Sequence, residues 1–383
     1  LMWLCSISMG IFGINNFAFK LPNIIFALLA IYFTYRFAKI YYKREVALLS
    51  ALMLSLCQAL FLMTNDCRTD CILMSLVIFS CWQCAEWFQN KNRKNIFLAF
   101  IGIGFGMLAK GPIALLVPVF AFGPYLLLKL DFKNIFRWEY LAGLVIIGII
   151  LTPFCIGLYK QFDLHPEKIV YEKSGTSGVR FFLWTQSFGR ITGESHWQNG
   201  AYFTFLFENM FWSFLPWIFF LIPALVKEFY SLIKSRFKAE AGRIIPLSGF
   251  ILTYISLGLS NYQLPHYIFV VFPFASIITA NFIFTLFTSS PRSWYVKSAV
   301  LFQFVLSVLL GTGCFLITQY VFPENNFFAV LVTALLFASA IILMLIRGEI
   351  LNRFVLISFS CMVLANVFLS THFYPHLLNY QMG

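Results

Sequence analysis

The sequence predicts an all-α polytopic membrane protein of about twelve transmembrane helices with one long loop on its outer face. Three observations predict it. Of 383 residues, 60% are hydrophobic, 19% aromatic and only 11% charged, whereas a soluble domain is about 45–50% apolar and about 25% charged. Apolar runs near the ~20 residues needed to cross a bilayer recur along the whole chain. Between those runs, basic residues fall in every second loop.

The expected spans are 21–40, 46–63, 70–88, 96–109, 112–130, 139–159, 203–226, 244–260, 264–288, 296–319, 327–347 and 353–371. The fourth is short. Residues 1–13 (LMWLCSISMGIFG) are too short to cross and are expected either to lie flat at the interface or to be a truncated span. The loops 36–45, 88–95, 129–138, 227–243, 289–297 and 347–353 hold 19 of the 27 Lys and Arg residues. Lys and Arg accumulate in short cytoplasmic loops, so these loops are expected inside. The net charge of +12 then has an ordinary use against anionic inner-leaflet lipid, and no nucleic acid is called for.

The remaining polar stretches all fall on the other side. TNDCRTD (64–70) places Asp66, Arg68 and Asp70 at the outer end of a span. Asp70 can cap the helix that follows, or a carboxylate there can act as a base or metal ligand. AKGP (109–112) puts Lys110 where Gly111 and Pro112 break the helix, either snorkelling to lipid phosphate or holding a substrate's phosphate. Gly102, Gly104 and Gly106 follow no strand and read as close helix packing, not as a nucleotide loop. The loop 160–202 is too long for a plain turn, and its GRITGESHW segment joins Arg190, Glu194 and His196 in a mixture suited to an anionic headgroup and a sugar. In SNYQLPHY (260–267), Pro265 opens a span and sets His266 and Tyr267 in its first turn. All five histidines lie on this side. Nine cysteines make no disulfide or metal pattern; CWQC at 81–84 lies within a span and reads as packing.

The order of TDCILM, LAKGPIALLVPVFAFGP, FFLWTQSFGRITG, WSFLPW and LSNYQLPHYIFVVFP resembles the lipid A aminoarabinose transferase and protein mannosyltransferase family of polytopic GT-C glycosyltransferases. The likeness covers nearly the whole chain. It implies a GT-C-like helical bundle, a polyprenyl-phosphate sugar donor, and work at the outer face of the inner membrane. It also implies segments outside this sequence: a first span and an outer loop with a catalytic aspartate before Leu1, and an outer soluble domain after 372–383. The organisation expected is a juxtamembrane lead-in (1–20), an N-terminal bundle (21–159), an outer catalytic loop (160–202), a C-terminal bundle (203–371) and the start of that domain.

By position, the resemblance assigns Asp70 to the family's second acidic site, Lys110 to its Lys-Gly motif, Arg190 to its outer-loop arginine and Tyr267 to the tyrosine of Lys-Leu-Pro-x-Tyr. Gln263 replaces that motif's lysine, His266 its threonine, and Thr185–Gln186 a Glu-His pair. These departures point to a different sugar or acceptor. The expected site is therefore Asp70 and Asp66 as catalytic carboxylates, Lys110, Arg190 and Arg68 at the donor phosphate, and Tyr267, His266, Glu194, His196 and Gln263 at the substrate. No cofactor is certain and a divalent metal is possible. The expected reaction is sugar transfer with inversion from polyprenyl phosphate to a lipid, glycan or protein hydroxyl. A flippase without chemistry and a lipid-linked glycan polymerase are the alternatives. A flippase would want ionisable groups near the midplane and related halves; the charges here gather at one interface.

Overall fold

Helix follows helix through most of the chain. The computed structural model describes residues 1–170, 173–195, 197–236, 240–323, 327–345 and 348–377. These separate into two units: 1–55 with 62–281, and 56–61 with 282–383.

In the first unit, α1 (Met2–Phe12) is followed by α2 (Asn16–Tyr41). Asn15 starts α2 by accepting a hydrogen bond from the Ala18 N–H at 2.8 Å, the usual service of an Asn cap. Then come α3 (Arg44–Leu56) and α4 (Gln58–Asp66), which meet at a bend of 52°. Next are α5 (Thr69–Asn90) and α6 (Arg93–Lys110). Gly111, at φ +81°, ends α6, and Pro112 leads into α7 (Ile113–Leu128), as proline does at a helix start. The short α8 (Phe132–Ile135) precedes α9 (Trp138–Leu158).

Among the described residues, 159–204 hold only small pieces. They are the two-residue strands β1 (Ile169–Val170) and β2 (Lys173–Ser174), paired antiparallel, and the single turns α10 (Gly178–Arg180) and α11 (Gly189–Thr192), among π-helical turns. After them come α12 (Phe205–Ser213), α13 (Ile218–Lys234) and α14 (Ala241–Gly258). A tight helical run, Pro265–Val271, then leads into α15 (Phe272–Ser289). The second unit is built on α16 (Trp294–Leu316), α17 (Phe327–Leu345) and α18 (Ile350–Phe368). Cys314, Leu336, Cys361 and Phe368 share its core.

The span count differs from twelve. Among the described residues, seven helices are long and apolar enough to cross a membrane, or eight if α3 and α4 make one span. The expected seventh span, 203–226, is two helices, because Pro216 falls at its middle and an interior proline removes a backbone donor and clashes with the preceding turn. Helix α7 has 16 residues, about 24 Å of rise, short of a ~30 Å hydrocarbon core. Helix α6 carries Arg93, Lys94 and Lys110 within its 18 residues.

The three glycines of α6 serve three different neighbours. A Cβ on Gly102 would meet Ser80 Oγ at 2.5 Å and Phe79 Cδ1 at 2.7 Å on α5; on Gly104, Ile150 Cδ1 of α9 at 2.8 Å; on Gly106, the Ala114 Cβ of α7 at 2.8 Å. Small residues thus let α6 sit against three helices at once. The packing reading of this run is borne out.

The connections of this unit gather at two ends. The 42–43, 91–92 and 129–137 connections meet at one end. There Lys91 Nζ donates to Asn134 Oδ1 at 3.0 Å, Arg93 pairs with Glu139 at 3.6 Å, and the Tyr42 hydroxyl donates to the Gly242 carbonyl. The 67–68, 111–112 and 260–266 segments gather at the other.

Gly102→Ala is expected to destabilise the protein by about 1–3 kcal/mol, the usual cost of overpacking. Gly123→Ala, which would meet nothing within 4 Å, serves as the control. Thermal unfolding in detergent measures both, and equal midpoints for the two variants would contradict this packing.

Candidate functional site

Asp70 is the most deeply placed of the charged residues at this end. It lies in the first turn of α5 but does not cap it: Arg68 holds the cap position, with no side-chain cap bond. The Asp70 carboxylate is 5% exposed, and its Oδ1 pairs with Lys110 Nζ from the last residue of α6. The break at Gly111–Pro112 is what brings that ammonium to Asp70. Both residues come from helix ends, where a charge can be placed without entering the hydrocarbon.

Lys110 also lies 4.4 Å from the centre of the Tyr267 ring, in cation–π range. The Tyr267 hydroxyl accepts a hydrogen bond from Arg190 Nη1 at 2.6 Å. Arg190, on α11, has its guanidinium 5.2 Å from the rings of both Trp197 and Tyr262 and 5.6 Å from that of Tyr267. Its Nε is buried and has no hydrogen-bond partner. An arginine so stacked keeps its charge and its planar fork orientation, with a donor left over.

A second chain of charges flanks the first. Arg68 donates to Asp66 Oδ2 from Nε at 2.6 Å, and its Nη1 lies 2.9 Å from His266 Nδ1. Guanidinium has no acceptor, so Nδ1 must be the acceptor and Nε2 carries the ring proton. That Nε2 stands 3.9 Å from Asp70 Oδ2. Asp66 itself is 54% exposed.

A cavity of about 240 Å³ lies beside these charges. Lys110, Arg190, Tyr267, Gln186, Ser187 and Ser260 are among its polar lining residues, and Leu73, Ile113, Leu116, Leu257 and Val270 among its aliphatic ones. A cavity lined by two cations and by aliphatic side chains can hold an anion whose remainder is apolar.

The remaining expected residues fare differently. The fully buried Gln263 donates from Nε2 to the carbonyls of Gly258 and Ser260, at 2.8 and 3.0 Å. It therefore braces its own turn and does not line the cavity. Glu194 pairs with Arg180 at 3.3 Å and borders a separate cavity of about 450 Å³. His196 lies outside the described residues. Among the described residues, no group of three His, Cys, Asp or Glu is placed to hold a metal. Asp66, Asp70 and His266 are already engaged by Arg68 and Lys110, so this donor set does not fit a divalent ion.

Sequence reasoning missed Trp197, Tyr262 and Asn199. Asn199 pins the 260–267 turn by donating to the Gln263 carbonyl at 2.6 Å and accepting from its N–H at 3.3 Å. Tyr262 stands inside SNYQLPHY and Trp197 inside GRITGESHW. Aromatic residues at a membrane interface are usually belt residues, which hides these two.

Three comparisons bear on this arrangement. The family model described as dolichyl-phosphate-mannose-protein mannosyltransferase matches residues 1–156. The undecaprenyl phosphate-alpha-4-amino-4-deoxy-L-arabinose arabinosyl transferase of Erwinia tasmaniensis is 26% identical over 287 residues, 73% of this chain and 48% of that protein. The transferase of the same name from Wigglesworthia glossinidia brevipalpis is also 26% identical, over 73% of this chain and 47% of its own. This chain thus spans about half the length of these curated relatives. The crystal structure of ArnT from Cupriavidus metallidurans bound to undecaprenyl phosphate superposes with a TM-score of 0.73 at 17% identity, covering 96% of this chain and 65% of that one. The chain has that fold and is similar in sequence to the 4-amino-4-deoxy-L-arabinose arabinosyl transferases.

Lys110→Met is expected to cost about 3–5 kcal/mol, because it strands the Asp70 carboxylate without its partner. Adding Asp70→Leu should restore most of the loss. A double-mutant cycle from denaturant unfolding that showed no coupling would contradict the pairing.

Proposed function

We propose that this chain moves a sugar from a polyprenyl-phosphate donor to a hydroxyl acceptor at the outer face of the cytoplasmic membrane, with inversion at the anomeric carbon. The single observation that carries this is the cavity that Lys110 and Arg190 line together with aliphatic side chains. A polyprenyl phosphate has that chemistry, a phosphate anion on a long apolar tail. The relatives named above support the donor class, and the basic connections at the opposite end support the outward face of the site.

In the transfer, the acceptor hydroxyl oxygen bonds to the anomeric carbon and loses its proton to solvent as the bond from that carbon to the phosphate oxygen breaks. The electron pair leaves with the phosphate. Lys110 and Arg190 neutralise that growing charge, and donors fixed before the reaction need no reorganisation when it develops. Arg190 offers its planar fork, the better geometry for a phosphate, and its aromatic seat of Trp197, Tyr262 and Tyr267 holds it in register. Asp70 acts through Lys110 as a positioning residue, since its Oδ1 is occupied by the ammonium. His266, with its proton on Nε2, lies across from Oδ2. Together with Arg68 it holds the turn that carries the charges.

Arg190→Ala is expected to lower transfer about 10²–10³-fold, as loss of one charge-stabilising donor does, with Arg190→Lys falling between. The readout is label transfer and polyprenyl phosphate release from radiolabelled donor, in membranes holding the full-length protein. No release with any acceptor would end the proposal and favour transport.

In the same assay Asp70→Asn, which frees Lys110, should cost about ten- to a hundredfold, corresponding to one lost charge-assisted contact. An unchanged rate would remove Asp70 from the mechanism.

A further inference from the structure

Helix α1 carries a thiol to the turn that presents the charged residues. Cys5 Sγ lies 3.7 Å from Cys67 Sγ, although the two residues are 62 positions apart. Both thiols face the Phe19 carbonyl oxygen, at 3.4 and 3.3 Å. Cys5 is 1% exposed and Cys67 8%. Cys67 sits between Asp66 and Arg68 with φ +52°, an uncommon conformation for a residue other than glycine. A tie to a neighbouring element would hold the backbone there.

Two sulfurs in van der Waals contact have only to close to about 2.05 Å to bond, and thiols facing an oxidising compartment are the ones that do so. Burial pushes the Cys67 thiol up to about 12. It is therefore unlike an exposed, low-pKa redox sensor, and suits a structural bond made as the chain folds.

We propose that Cys5 and Cys67 form a disulfide that fastens α1 to the turn bearing Asp66 and Arg68. The proposal rests on the outward face of the site proposed above and not on the transfer reaction. The oxidant is a thiol–disulfide oxidoreductase of the cell envelope in its disulfide form. One cysteine thiolate attacks that disulfide and releases one of its sulfurs as thiolate. The second cysteine then attacks the protein sulfur of the mixed disulfide and expels the other. Two protein thiols lose two electrons and two protons, and the oxidant's disulfide becomes two thiols. The bond would fix the start of α5, and through Arg68 the ring of His266. Cys71 is the nearby competitor; it is engaged with the Asn23 carbonyl at 3.3 Å.

The test uses the full-length protein in its membranes. Thiols are blocked with N-ethylmaleimide during denaturation without reductant, and the digest is read by mass spectrometry. The expected result is a Cys5–Cys67 linked peptide, lighter by two hydrogens than the two thiol peptides, that disappears on reduction. It should persist in Cys71→Ser, while Cys5→Ser should leave Cys67 alkylated. Alkylation of both cysteines in the parent protein overturns the proposal. A Glu167→Cys variant, at an exposed position in the 160–202 segment, reports the side independently through a membrane-impermeant maleimide. Labelling from outside together with two free thiols sinks the disulfide and leaves the sidedness standing. Failure to label from outside places the turn in a reducing compartment and sinks both.

Discussion

The ion pair between Asp70 and Lys110 organises this molecule. A carboxylate with almost no exposure at a membrane boundary is costly unless paired. Pairing it with Lys110 fixes two helix ends against each other, the start of α5 and the finish of α6. The rest follows from that contact. Gly111 and Pro112 must break the helix directly after Lys110. The α6 glycines must let that helix approach α5, α7 and α9 closely enough for the ammonium to arrive. Tyr267 then lies under the ammonium, and its hydroxyl takes Arg190.

The second device is aromatic. Arg190 stands on a one-turn helix in a stretch of little regular structure, a poor base for a precise group. Three rings correct this. Trp197 comes from the same stretch, and Tyr262 and Tyr267 from the turn that Asn199 and Gln263 brace through backbone hydrogen bonds. A guanidinium is weakly hydrated and stacks well, so it can be held by faces while its N–H groups remain directed at an anion. The two cations thereby share one cavity, although 80 residues separate them in sequence.

Much of this site was legible beforehand. Lys110 at a helix break, Asp70 at a helix start and Tyr267 one turn into a proline-led span all follow from local rules about where glycine, proline and charge are tolerated. The residues hidden from that reading are hidden for a common reason. Gln263 matched a motif position but spends its amide on its own turn, which no spacing reveals. Trp197 and Tyr262 resemble ordinary interfacial aromatics until Arg190 is seen between them. Asp70 read either as a cap or as a functional carboxylate, and its ion pair is made with a residue 40 positions away. The twelve expected spans and the seven or eight long apolar helices part where hydropathy alone cannot judge. A window of average apolarity does not register Pro216, and it counts a 16-residue helix as it would one of 20.

Composition and pattern by themselves determined that the chain is helical and membrane-spanning, because a backbone in hydrocarbon must satisfy its own hydrogen bonds and few charges can be carried there. They also pointed to one end for Asp66, Arg68, Asp70, Lys110 and His266, since most of the basic connections claim the other. Only the tertiary structure decided which of those groups touch. Convergence depends on helix approach within an ångström or so and on the torsions of side chains distant in sequence, and neither quantity is local.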